Sequence, residues 1–207
     1  MLFEKIELLL KNFSEEQIPA ERKDVLQGLT AYIQTTSGNI HLNFICTHNS
    51  RRSHLAQVWA YALCNYFQLD FIDCYSGGTE ETAVYPVVMD TLRHQGFEIL
   101  QLTSDTNPVF ALKSHPLDRP LILFSKKYNH RFNPPSDFVA IMTCDSANEA
   151  CPLVSGALRR FSILYEDPKK YDGSPQQVSA YMERSLQIAQ ELWYVFKQVA
   201  GKGKGKF

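Results

Sequence analysis

The chain has 207 residues, with 21 Lys plus Arg against 22 Asp plus Glu and a formal net charge of -1. Its composition, 44% hydrophobic and 21% charged, is that of a folded globular protein with one substantial core, because domains commonly hold about 100 to 150 residues. That balance excludes an extended disordered chain and gives no sign of nucleic-acid binding. A second full catalytic domain is not expected. No stretch has transmembrane length, and the opening residues lack the basic region and apolar run of a secretory signal, so cytoplasmic residence without a membrane partner is expected. Five cysteines cannot all pair within one chain, and their surroundings read as ordinary α/β segments, so resting thiols are expected.

In chain order, residues 1–40 read as a helical extension, with Phe3, Ile6, Leu9 and Leu10, then Val25, Leu29, Tyr32 and Ile33, at helical spacings. Pro19 marks the approach to its second helix, and a turn-rich run at 35–38 ends it, so the catalytic unit is expected over residues 41–200. Residues 42–45 predict a strand, 46–53 a loop and 54–60 the start of a helix. A second strand is expected at 71–75, followed by Gly77 and Gly78, which permit a close backbone approach, and by a helix reaching about Arg93. A turn at Gly96 precedes a strand at 97–100. A less periodic region then runs to a strand at 138–142, and a last strand is expected at 161–165. Pro175 opens a helix whose predicted buried stripe includes Val178, Met182, Leu186, Ala189, Trp193 and Phe196. Residues 201–207 read as a flexible tail. Helices interleaved with apolar strands predict an α/β three-layer sandwich with a central four-stranded parallel sheet, plus the N-terminal helical extension. Its functional loops should gather at the carboxyl ends of the strands.

The strongest local signal is Cys46 followed, after five intervening residues, by Arg52. A short loop between strand and helix can wrap backbone amides around a tetrahedral anion, while the guanidinium of Arg52 grips two oxygens and the helix start adds positive potential. The same amides and Arg52 favour a thiolate nucleophile at Cys46. Ser53 is placed to donate to the sulfur, and Asn49 to organise the loop; ordinary turn and cap duties weigh equally for both. Thr47, His48, Ser50 and Arg51 contribute mainly amides, and His48 reads more readily as a surface or turn residue than as a base. Arg51 can either strengthen anion capture or face solvent. The later Asp167-Pro168 segment offers a proton-transfer group, with Glu166 as the adjacent alternative and a turn cap as the plainer reading of Asp167. Tyr165 and Tyr171 either shape the mouth of the site or pack. Cys144 and Cys151 flank a polar, potentially mobile segment and can form a disulfide if their directions allow, whereas Cys64 and Cys74 read as packing residues. No close metal-ligand spacing is present, so no metal is expected.

On Cys46, Arg52 and the Asp167-Pro168 segment the chain resembles the low-molecular-weight tyrosine phosphatase superfamily, especially its thioredoxin-coupled arsenate reductases, over about residues 41 to 198. The resemblance implies a compact parallel α/β domain in which Cys46 attacks an oxyanion, Arg52 binds it, Asn49 and Ser53 support the loop, and Asp167 moves a proton. For the reductases it further implies that Cys144 attacks Cys46 and that Cys151 resolves that disulfide, with thioredoxin restoring the thiols and no tightly bound cofactor. The chain departs from the usual pattern at His48, where a glycine is usual, at Arg51, where some reductases carry a cysteine, and at Gln57, where a glutamate is associated with potassium binding. The last departure argues against potassium dependence. Arsenate reduction is therefore expected, with aryl phosphate monoester hydrolysis as the alternative and a non-enzymatic oxyanion-binding role as a third class.

Overall fold

In the computed structural model, which describes residues 1–150 and 153–203, the apolar run before Cys46 becomes strand β1 (Ile40–Cys46), buried along almost its whole length. Such burial on both faces is the mark of a central parallel strand. It lies between β2 (Ile72–Gly78) and β6 (Phe138–Met142), and β7 (Ala157–Ser162) completes a parallel sheet of order β2-β1-β6-β7. The expected four-stranded parallel sheet is thus present.

One face of the sheet, including Leu42, Phe44, Val139 and Ile141, joins the large core formed with α3 (Arg52–Phe67), α4 (Pro86–His94), α6 (Gln177–Gly203) and the extension. The extension supplies α1 (Glu4–Lys11) and α2 (Ala20–Thr35), with Ile6, Leu10, Leu26, Leu29 and Ile33 buried in that core, while Val25 faces solvent. Trp59 of α3 donates to Ser185 Oγ of α6 at 2.9 Å, and Ser185 donates to Gln95 Oε1 at 2.8 Å, so the three helices share a buried polar junction. The opposite face, with Ile45, Phe138, Ala140 and Met142, is covered by the short α5 (Asp145–Ala150) and irregular chain around Tyr128.

Four expectations are displaced in whole or in part. The last strand lies earlier than 161–165, because β7 is an edge strand with exposed Leu158 and Arg159, and the apolar signal comes from Ile163 and Tyr165 just beyond its end. The 97–100 strand is realised as β3 (Glu98–Gln101), but it belongs to a separate antiparallel sheet of order β3-β4-β5 with β4 (Phe110–Lys113) and β5 (Leu121–Leu123), whose strands are too short to show a period. In α6, Ala189, Trp193 and Phe196 of the predicted stripe are buried together with Tyr181, Ser185, Ile188, Leu192, Val195 and Val199, whereas Met182 and Leu186 are half-buried and Val178 is exposed. That helix also continues into the stretch read as tail, to Gly203; residues 204–207 lie outside the described residues.

The outer edge of β2 is closed by side-chain amides. Gln57 Nε2 donates to the Cys74 carbonyl at 3.0 Å and Asn133 Nδ2 to the Ser76 carbonyl at 2.9 Å, while Gly78 exchanges 2.8 Å bonds with Lys126 and Tyr128. Gly77 and Gly78 have no room for a side chain. A Cβ at Gly77 would run into the Tyr128 backbone, and one at Gly78 would lie 2.6 Å from the Thr47 carbonyl and 2.8 Å from the Asn49 amide. The expected close approach is therefore β2 passing under the loop that follows β1.

Candidate active site

Cys46 ends β1 and Arg52 begins α3, so the intervening residues form a tight loop at the carboxyl edge of the sheet. Its carbonyls are tied outward. Those of Cys46 and Thr47 accept from the Thr79 and Glu80 amides at 3.1 and 2.8 Å, that of His48 accepts from Ser125 Oγ at 2.9 Å, and that of Ser50 accepts from the Tyr85 amide at 3.1 Å. The amides of residues 47–51 donate to no protein acceptor among the described residues. A loop with the carbonyls of residues 46, 47, 48 and 50 bonded outward leaves its amides for the concave side, which is the arrangement that binds an anion.

The Cys46 sulfur is supported by a directional chain. The Lys126 amide donates to Asn49 Oδ1 at 2.9 Å, Asn49 Nδ2 donates to Ser53 Oγ at 2.8 Å, and Ser53 Oγ lies 3.1 Å from Cys46 Sγ. Because Ser53 accepts from Asn49, its own hydrogen is free to point at the sulfur. Asn49 adopts φ +45°, a left-handed conformation that asparagine tolerates better than most residues.

Arg52 Nη1 donates to the Tyr165 carbonyl at 2.9 Å, and Nη2 pairs with Asp167 Oδ2. Asp167 also caps the 3-10 turn Pro168–Tyr171 by accepting from the Lys169 amide at 3.0 Å, so cap duty and proximity to the site coexist. Glu166 instead pairs with Lys170 and Arg184. A small pocket of about 10 Å³ brings Cys46, Thr47, His48, Ser50, Arg51, Arg52 and Asp167 together.

Arg51, which also lines that pocket, does not face solvent. Its Nε donates to Tyr181 Oη and its Nη2 to Asp172 Oδ2, both at 2.6 Å, and its guanidinium lies 4.2 Å from the Tyr85 ring centre, so the side chain fastens the loop to α6. The His48 ring faces Glu80 at 3.4 Å and is substantially exposed. Tyr165 is buried and Tyr171 half-buried.

Cys144 is buried directly after β6, with its sulfur 3.5 Å from Thr47 Oγ1 and accepting from the Ala147 amide at 3.4 Å. The segment after it, read as a polar loop, begins with α5. Cys151 lies outside the described residues. Cys64 and Cys74 are buried, their sulfurs 3.9 Å apart at the wall of a cleft of about 770 Å³; burial pushes the Cys64 thiol well above its ordinary value. No cluster of three or more metal-ligating side chains occurs among the described residues, and none of their helices is long and apolar enough to cross a membrane.

Three features escape the sequence. The first is the strap at residues 79–85 that holds the loop carbonyls; the polar run after Gly78 was its only trace. The second is Lys126, 1% exposed, whose ammonium has one acceptor, the Phe124 carbonyl at 3.3 Å, and sits against the Phe124 and Phe132 rings with no carboxylate partner among the described residues. Burial lowers it to about 7. The third is His54, fully buried with Nδ1 3.4 Å from Ser76 Oγ; burial and the nearby Lys126 charge push it down to about 3, so it is neutral at physiological pH.

No protein-family model matches the chain. An arsenate reductase of Halalkalibacterium halodurans is 27% identical over 161 residues, covering 78% of this chain and 95% of the relative. One from Bacillus subtilis is 26% identical over the same length, with the same coverage. In fold, the chain is similar to a low-molecular-weight phosphotyrosine phosphatase of Vibrio cholerae, at a TM-score of 0.53 and 12% identity, covering 81% of this chain and all of that one. A low-molecular-weight protein tyrosine phosphatase of T. tengcongensis matches at a TM-score of 0.50 and 14% identity, covering 79% and 99%.

Proposed function

We propose that this chain, which is similar over most of its length to arsenate reductases and in fold to low-molecular-weight phosphatases, reduces arsenate to arsenite. The observation that carries the choice of reaction is the Cys144 sulfur lying against Thr47 of the nucleophile loop. Phosphate-ester hydrolysis has no use for a second thiol there, whereas a disulfide relay requires one.

In this reading the Cys46 thiolate attacks the arsenic of bound arsenate, and one oxygen leaves as water after a proton passes through Asp167. Arg52 and the amides of the loop hold the remaining oxygens, where donors fixed in advance are worth most. The Cys144 sulfur then attacks Cys46 Sγ. The arsenic–sulfur bond breaks, its electron pair stays on arsenic, and arsenite departs as Cys46 and Cys144 become a disulfide. Cys151 attacks Cys144, frees Cys46 and leaves a Cys144–Cys151 disulfide, which the dithiol of thioredoxin reduces. One arsenate gains two electrons and one thioredoxin dithiol loses them.

The second reading is hydrolysis of aryl phosphate monoesters, favoured by Asp167 standing in the same small pocket as Cys46, where it can protonate a leaving oxygen without electron transfer. Product analysis separates the two. Purified protein given arsenate, thioredoxin and a reductant for thioredoxin should release arsenite over repeated turnovers. Cys46→Ala should release none, and Cys144→Ala should lose arsenite formation while keeping any phosphate-ester hydrolysis. Sustained arsenite release by a folded Cys144→Ala protein would sink the relay, and ester hydrolysis without arsenite in the wild type would put the second reading first.

A further inference from the structure

We propose that Arg22, supplied by the N-terminal extension, is a positioning residue for the active site, acting through Tyr165. The inference rests on the reading of Arg52 and Asp167 as oxyanion-binding and proton-transfer residues. Tyr165 is a crossing point of the fold. Its amide donates to the Thr143 carbonyl at 3.2 Å, next to Cys144; its own carbonyl accepts from Arg52 Nη1 at 2.9 Å; and the chain reaches Asp167 after one further residue. The backbone of this one residue therefore sets the guanidinium that would grip the oxyanion and the start of the segment that would protonate it.

Tyr165 has its hydroxyl buried beside Arg22 and Glu191, with no hydrogen bond of regular geometry among the described residues. Against its ring sits the Arg22 guanidinium, 5.3 Å from the ring centre. Arg22 cannot drift, because Nε and Nη2 grip both oxygens of Glu191 at 3.0 and 2.5 Å, and Glu191 in turn accepts from Gln187 Nε2 at 3.0 Å. The Glu191 side chain is only 4% exposed. A cation held by a buried carboxylate over an aromatic face is a stiff contact, since both its charge and its plane are fixed. The extension thus reaches the chemistry through one side chain, although none of its residues touches the pocket that holds Cys46.

The test compares wild type, Arg22→Ala, Arg22→Lys and Glu191→Gln in the full chain, with Arg52→Ala and Asp167→Asn as references, each first checked for folding. Affinity for inorganic phosphate and for arsenate is read by calorimetry, and hydrolysis rates are compared for aryl phosphates with good and poor leaving groups. Arg22→Ala should weaken oxyanion binding by about threefold to tenfold and slow the poor-leaving-group ester by about tenfold more than the good one, as expected when reacting groups are misplaced rather than lost. Arg22→Lys and Glu191→Gln should fall between it and wild type. A purely structural role would lower thermal stability but leave the affinity and the leaving-group dependence of the folded fraction unchanged, and that result overturns the proposal. If Arg22→Ala does not fold, the same comparison is made on the two milder variants, and wild-type behaviour in both overturns it equally. Unchanged anion affinity in Arg52→Ala, or unchanged leaving-group dependence in Asp167→Asn, would instead remove the reading on which the proposal rests.

Discussion

A buried lysine with no carboxylate to meet it is costly, and Lys126 shows where that cost falls. Its folded value of about 7 lies below the ordinary 10.5, so the unfolded chain binds the additional proton between those limits. Stability contributed by this site therefore falls as pH is lowered from 10.5 to about 7 and is flat below that. Lys126→Met keeps the stem and drops the charge. It should be more stable than the native chain at pH 7 by roughly 1 to 4 kcal/mol, with the difference closing towards pH 10.5. Urea unfolding at pH 7 and pH 10 reads this directly; equal gains at both pH values would show that the ammonium carries no such cost. Lys126 could not be singled out from sequence, because lysine is normally a surface residue and nothing in its neighbours marks it as buried. Cys46, Asn49, Arg52 and Ser53, by contrast, were legible as a group, since their order along one loop already fixes which groups can converge.

At the scale of elements, the site depends on β2 sliding under the loop that β1 delivers. Gly78→Ala would place a methyl group against the Thr47 carbonyl and the Asn49 amide, on a strand with no left-handed strain to blame. The expected outcome is a loss of about 1 to 3 kcal/mol of stability from overpacking. Turnover should fall by about tenfold or more as the loop amides are displaced. Steady-state kinetics on the folded variant would check this, and wild-type turnover would mean the loop tolerates the methyl group. The two glycines could be read from sequence as a tight approach, but what they approach could not. The strap at 79–85 and the Arg51–Asp172–Tyr181 fastening are long-range pairings, and neither leaves a local period. The second sheet escaped for a related reason: strands of three and four residues show alternation too brief to separate from chance. The four-stranded parallel sheet was legible because β6 is apolar on both faces, β1 is apolar on one face and at Ile45 on the other, and both are bounded by turn residues.

At the scale of the molecule, the extension and the sheet are joined by one core, in which Leu29 of α2 is fully buried alongside Trp59 and Val195. Leu29→Ala should cost about 2 to 5 kcal/mol. The whole chain should still unfold in one transition, with far-ultraviolet circular dichroism and tryptophan fluorescence coinciding across a denaturant series. Separate transitions would show that the extension melts by itself. The amides of Gln57 and Asn133 on the rim of β2 have a different consequence, which concerns many molecules rather than one. With those carbonyls occupied, the principal sheet offers no template on that side for a strand from another chain. The strand edges left to meet another chain in concentrated solution are then β7, beside exposed Leu158, and β3 of the small sheet, beside exposed Leu100 and Leu102.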